Sequence, residues 1–426
     1  MPLCAPARQS LVTGLPASLH GTFRNRHAAV EGERTLFHDI TDGGHATGFF
    51  GKTHCNVEGF VEVQSQEDLL EAHRVQHPGA ALPGTERIVR DAPTSVPFLE
   101  PYNPRYLGAG SGSVFHMEEA VTRATLDFLA RTPREGPFFA IASYLAPHPP
   151  LFPPEEFLER FRNAPVVVDR SYRAAASDLP RDLRRRRKGQ RIPRLTDEGA
   201  DNIARAYLAS LAWTDWCIGR LLEGLEALDL HRETVVVYTS DHGELLGEHG
   251  LFGKRAFYEG ASRVPLMVHD PLVERAARDV GGVVSHLDLA ATFSSWAGRS
   301  TASLPGRDLR PLLQSDVEPV WSNEARMESC DGLGLPESRD LELPSSASPP
   351  AAMSWALRRD QWKYMAHGSG EVELYDVLED PGETRNLATD PAASSVVRSC
   401  AEQLREGSPS TWAFHRSGDG REGAPR

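Results

Sequence analysis

Short, largely apolar runs recur along the chain at 46–50, 138–144, 234–239 and 264–268, and read as buried strands. Helical patterns lie between them. Pro6 suits a first helical turn, so 7–13 reads as a short helix stopped at Gly14, with Cys4 near its N-terminus. Residues 121–129 are helix-like. A long helix is expected at 196–228, with Thr196 as cap and Glu198 in the first turn. Ile203, Tyr207, Leu211, Ile218, Leu222 and Leu225 give it an apolar face, and Trp213 and Trp216 are expected in the core. Residues 286–297 form a further helix closing at Gly298. This alternation predicts an α/β fold, a mostly parallel central sheet sandwiched by helices.

The pattern changes later in the chain. Residues 332–350 read as a loop. Residues 354–358, 362–366 and 373–376 read as short antiparallel strands with turns at Asp360 and 368–370, before a helix at 396–405. The expected division is a catalytic unit over 1–313, a smaller C-terminal antiparallel α+β subdomain over 314–410 and a mobile tail over 411–426. The run Arg184-Arg185-Arg186-Arg187-Lys188 reads as a solvated surface loop.

The chain has 426 residues, enough for a large core without staples. Its formal charge of −13 argues against general nucleic-acid binding. Five cysteines, none in zinc-ligand pairs, imply no disulfide framework. No apolar run approaches the ~20 residues that span a bilayer. No signal peptide is visible, so as given the chain is expected to be cytoplasmic and free of membrane. Oligomeric state is not legible.

Ligand sites in open α/β sheets lie beyond the carboxyl ends of strands. Loops that follow predicted strands or open helices offer Cys4, Arg8, Lys52, His54, His148, Asp241, His242 and Lys254. Singly, each has an ordinary structural explanation. Jointly they supply a nucleophile candidate, three cations, two general acid/base candidates and a metal-binding pair, a set suited to a tetrahedral anion.

In order, these segments resemble the sulfatase family of the alkaline phosphatase superfamily. Cys4-Ala5-Pro6-Ala7-Arg8 with Thr13-Gly14 is similar to the family's Cys-x-Pro-x-Arg signature. Gly51-Lys52-Thr53-His54, Pro147-His148-Pro149-Pro150 and Thr239-Ser240-Asp241-His242-Gly243 resemble its later segments. Gly247-Glu248-His249-Gly250, Gly253-Lys254, Tyr258-Glu259 and Arg263-Val264-Pro265-Leu266 continue the likeness. Glu373-Leu374-Tyr375-Asp376, Asp380-Pro381-Gly382-Glu383 and Asn386-Leu387 look like its C-terminal ending.

The resemblance implies sulfuric ester hydrolysis, as in arylsulfatases, on a small-molecule or carbohydrate sulfate ester. Cys4 would be oxidised to formylglycine (3-oxoalanine) by a formylglycine-generating enzyme. One hydroxyl of its hydrate would attack sulfur, and the second would expel sulfate. Arg8 and Lys52 would hold the diol and the anion, and His54 would be the base for collapse of the sulfated intermediate. His148 and Lys254 would bind sulfate and assist the leaving oxygen. Asp241 and His242, with position 4, would hold one divalent metal, calcium by preference and magnesium or manganese otherwise.

The family also has two aspartates on a strand before the cysteine segment. Three residues precede Cys4 here, so the sequence is expected to continue upstream. Other readings are a phosphonate monoester or phosphodiester hydrolase of the same superfamily, and an inactive truncated homologue acting only as a binding protein. Residues 56–104 and 166–195 are the expected specificity loops.

Overall fold

A computed structural model describes residues 1–25, 34–76, 117–149, 151, 153–166, 179–189, 197–273, 277–314, 320–330 and 353–406. The expectations for 332–350, the tail and Thr196 fall outside these residues, as does most of both expected specificity loops.

The chain opens with α1, Cys4–Thr13. Its first bond runs from Ala7 N–H to Leu3 O at 3.0 Å, so Pro6 sits where no N–H is needed. Gly14 ends it with φ +69°, and its N–H closes on Ser10 O at 2.9 Å. Next come α2, Leu36–Asp42, and β1, Ala46–Gly51. β1 pairs in parallel with β2, Glu62–Ser65, on one side and with β3, Phe138–Ser143, on the other. The crossover to β3 includes α3, Met117–Arg131.

Alternation along β3 shows why a helix layer is needed on each face. Phe138, Ala140 and Ala142 join the core of Phe50, Val121 and Phe128. Phe139 and Ile141 join the opposite core of Val12, Phe37, Ile40, Leu289 and Phe293. The second core is roofed by α1, α2 and a helix far along the chain. β4, Val236–Thr239, splits the same way, with Val236 in the first core and Val237 in the second.

β4 pairs antiparallel with β5, Leu266–His269, a local departure from the expected parallel order. β3 and β4 share both cores, yet each is paired along one edge only among the described residues.

The run 184–188 is not a loop. It lies in α4, Arg181–Gly189, where Arg186 donates to Phe252 O at 2.7 Å, Arg184 lies 3.5 Å from Glu371, and Arg187 is buried. Arginine stems cover apolar surface while their heads find carbonyl and carboxylate partners. The long helix α5 spans Asp197–Ala227. Trp213 is 4% exposed, but Trp216 is 46% exposed and lies between Phe157 and Arg220, so only one of the pair is core. Leu222 on the expected apolar face is also exposed. The helix at the far end of the second core is α6, His286–Trp296, capped by Ser285 and Asp288.

The C-terminal sheet is antiparallel in the order β6, Glu324–Ser329; β7, Ser354–Arg359; β8, Trp362–Ala366; β9, Val372–Asp376. β6 was not anticipated: its charged alternation, Glu324, Arg326 and Glu328, hides its strand character. α7, Ser394–Glu406, covers one face through Cys400 against Leu357, Tyr364 and Leu374. The other face meets the first part of the chain through a buried ion cluster. Lys363 Nζ lies 2.8 Å from Glu259 and 3.1 Å from Glu383. Tyr258 adds a bond to Glu373 at 2.9 Å. No described helix is long and apolar enough to cross a membrane.

Candidate active site

The carboxyl ends of β1, β3 and β4 and the N-terminus of α1 meet at one place. Cys4 begins α1 and is fully buried, and its Sγ lies 3.1 Å from His242 Nε2. Hydrogen bonds with His148, His242 and His54 and the charge of Lys52 hold the thiol far below its usual pKa, outweighing burial, the largest influence and an opposing one. Cys4 thus sits in a niche of imidazoles and a lysine charge that favours loss of its proton.

Arg8, one turn further along α1, ties three elements together. Its Nε donates to Asp241 Oδ2 at 2.7 Å, and NH1 donates to Lys52 O at 2.8 Å and to Ser143 Oγ at 2.7 Å. Lys52 Nζ lies 3.4 Å from the same Asp241 oxygen. Asp241 is partly buried, and desolvation alone would favour its acid; Arg8, Lys52 and His242 overcome this and hold it well below the usual carboxylate range. Oδ2 is therefore spent on cations, while Oδ1 faces His242 Nε2 at 3.5 Å.

Two histidines have their tautomers set by adjacent carbonyls. His242 Nδ1 donates to Gly243 O at 2.8 Å, leaving a lone pair on Nε2 toward Cys4. His148 Nδ1 donates to Pro149 O at 2.6 Å, so its Nε2 accepts from Lys254 Nζ at 2.8 Å. Burial lowers the His148 pKa, with the Lys254 and Lys52 charges adding to it against the opposing influence of Cys4. Burial also lowers that of Lys254, with Lys52 adding to the effect.

All eight sequence-derived residues therefore meet in one network. His54 is the exposed member, linked through Cys4. Pro150 lies outside the described residues.

Two contributors were not anticipated. Ser143 ends β3 and donates to Lys52 O at 2.6 Å while accepting from Arg8; a lone hydroxyl closing the run FFAIAS was the available sign. Glu244 accepts amide N–H groups from Leu246 and Gly253 and so sets the loop that carries Lys254. Gly243 is required beside it, since a Cβ there would meet Gly260 O at 2.1 Å.

Cys4, Asp241 and His242 each offer a ligand atom, all within 4.8 Å of one another. With the thiol deprotonated on metal binding, these donors would carry two negative charges, matching a divalent cation.

Comparison with known proteins gives a consistent result. The sequence profile of the family described as Sulfatase matches residues 1–299. Arylsulfatase K of Canis lupus familiaris is 34% identical over 200 residues, 46% of this chain and 35% of that protein. The match thus spans about a third of that relative. Choline-sulfatase of Rhizobium meliloti is 26% identical over 411 residues, 92% of this chain and 74% of that protein. The solved phosphonate monoester hydrolase of Agrobacterium radiobacter superposes with a TM-score of 0.74 at 23% identity, covering 94% of this chain and 85% of that one. That last likeness establishes the fold.

Proposed function

Because the chain belongs to the sulfatase family, we propose that it hydrolyses a sulfate monoester at the cluster around Cys4 after that residue is oxidised to formylglycine. The carrying observation is the gathering of Lys52, His148 and Lys254 around a residue 4 that begins a helix beside Asp241 and His242. Oxidised, position 4 would supply a hydrated aldehyde as nucleophile.

The chain's own residues divide the remaining work. Arg8 has Nε and one terminal nitrogen committed to protein acceptors, so it mainly orients Asp241 and the Lys52 backbone. Lys52 Nζ, held at the centre, neutralises sulfate oxygens. Lys254 carries the proton that His148 Nε2 accepts in the resting arrangement, so Lys254 Nζ is the donor to the departing alkoxide. His148 orients that ammonium. His54, exposed at the rim and bonded to residue 4, takes the proton that must leave position 4 when sulfate is released.

One divalent cation bound by position 4, Asp241 and His242 would lower the pKa of a bound hydroxyl and offset sulfate charge. Calcium takes about six to eight oxygens. The unconverted set, with one sulfur, one nitrogen and one oxygen donor, suits Zn2+ better. Conversion replaces sulfur by oxygen and moves the preference back toward Ca2+ or Mg2+.

The test is twofold. Coexpression with a formylglycine-generating enzyme should convert the Cys4 peptide to the aldehyde mass. The converted protein should hydrolyse an aryl sulfate faster than an aryl phosphodiester. A dominant phosphodiesterase rate would favour the second reading, which His242 supports as a borderline-metal ligand. An intact thiol with no hydrolysis of either ester would defeat both.

A further inference from the structure

We propose that Glu118 is a positioning residue, whose carboxylate in the first turn of α3 clasps the amide of Ala146 and so fixes the loop presenting His148 to Cys4 and Lys254. The inference rests on the proposed role of His148 and goes beyond it to an acid outside the cationic cluster.

Glu118 is 3% exposed, an unusual setting for an acid in a helix's first turn, where carboxylates ordinarily reach solvent. It turns inward, and Oε1 accepts from Ala146 N–H at 2.7 Å. The next residues form a tight turn in which His148 N–H bonds to Leu145 O at 2.9 Å. His148 then spends Nδ1 on Pro149 O and Nε2 on Lys254. The imidazole's place is therefore set by a loop whose root is tied to Glu118. A second tie runs alongside. Thr122 Oγ1 lies 3.0 Å from Tyr144 Oη and 3.0 Å from Glu118 O, joining the same helix turn to the residue that follows β3.

Without an acceptor, Ala146 N–H would be a partly buried orphan donor, and the loop would shift to satisfy it. Displacement of a reacting group by about 1 Å costs on the order of 10²-fold in rate.

Among the described residues, the titratable groups facing this carboxylate are Glu119, the Cys217 thiol and the Tyr144 phenol. None is a cation. Burial, opposed by the Ala146 amide, raises its pKa to about 7. The anchor is then anionic above neutrality and a neutral acid below it, and a charge-assisted bond is roughly twice as strong as a neutral one.

The experiment uses the full chain as wild type, E118Q and E118A. The first readout is independent of turnover: hydrogen exchange of the peptide spanning 144–149, and iodoacetamide labelling of unconverted Cys4, from pH 6 to pH 8. E118A should exchange faster at Ala146 and label Cys4 faster, because the loop that carries His148 over Cys4 is no longer held. E118Q keeps an amide oxygen for Ala146, so it should retain protection, and its protection relative to the intrinsic exchange rate should no longer vary with pH near neutrality. The second readout is aryl sulfate hydrolysis by converted protein. E118A should lose on the order of 10²-fold in kcat, and E118Q about threefold to tenfold at pH 8 and little at pH 6. Wild-type exchange and labelling in E118A would overturn the proposal, as would an E118Q profile that keeps the wild-type pH dependence. If no variant hydrolyses sulfate, the function reading fails while exchange and labelling still decide the role of Glu118.

Discussion

Gly51→Ala tests whether the site depends on how closely two strand ends approach. Gly51 closes β1 at φ +102°, and a Cβ there would lie 2.2 Å from Ser143 O and 2.7 Å from Val121 Cγ2. That carbonyl accepts Lys52 N–H at 3.0 Å, and the Ser143 hydroxyl holds both Lys52 O and Arg8. Two costs add. An L-residue in the left-handed region costs about 1–2 kcal/mol. Overlap with a backbone oxygen, relieved only by parting β1 from β3, costs about 1–3 kcal/mol. The sum, about 2–5 kcal/mol, is a large part of a typical ~5–15 kcal/mol total. Gly44→Ala is the control: φ is +89°, but nothing lies within 4 Å of its Cβ, so only the first cost applies. Urea melts of both variants should show G51A falling well below G44A. Turnover by G51A should drop on the order of 10²-fold, because Lys52 follows Gly51. Equal stability of the two variants would refute the reasoning.

Three further outcomes are expected. Unconverted wild type should bind Zn2+ more tightly than Ca2+ in a calorimetric titration, and D241N or H242A should weaken zinc by more than the ~10–100-fold seen when a supporting group is lost. Burial depresses the Lys254 pKa, so its ammonium, and turnover with it, should be lost as pH rises through a value below the ordinary 10.5; K254Q should abolish that alkaline limb and lower kcat about 10²–10⁴-fold. K363M leaves Glu259 and Glu383 facing each other without their cation, and thermal melts should report a loss of about 3–5 kcal/mol.

Much of the site was legible because its chemistry sits on short loops at strand ends, where Cys4, Lys52, His148 and Asp241 stand beside glycine or proline punctuation. What was not legible depended on distant partners. Glu118 looks like any acid favoured by a helix dipole, and only the fold brings Ala146 to it. Ser143 reads as the end of a strand until Arg8 arrives from more than a hundred residues away. The arginine run was misread because charge density suggests solvent, whereas Phe252 O and Glu371 supply its partners across sequence. The antiparallel direction of β5 was not legible, because a four-residue, mostly apolar run does not encode direction. β6 alternates charge on the sheet's polar margin, which conceals its pairing with β7.

Among the described residues β3 and β4 are each paired along one edge only, and this bears on how the polypeptide is handled. A strand edge that lacks a neighbour offers amide and carbonyl groups to any extended segment nearby. Copies crowded in a tube will supply such segments to one another. Light scattering across a dilution series therefore belongs before every melt and titration above, since self-association would register as a false change in stability.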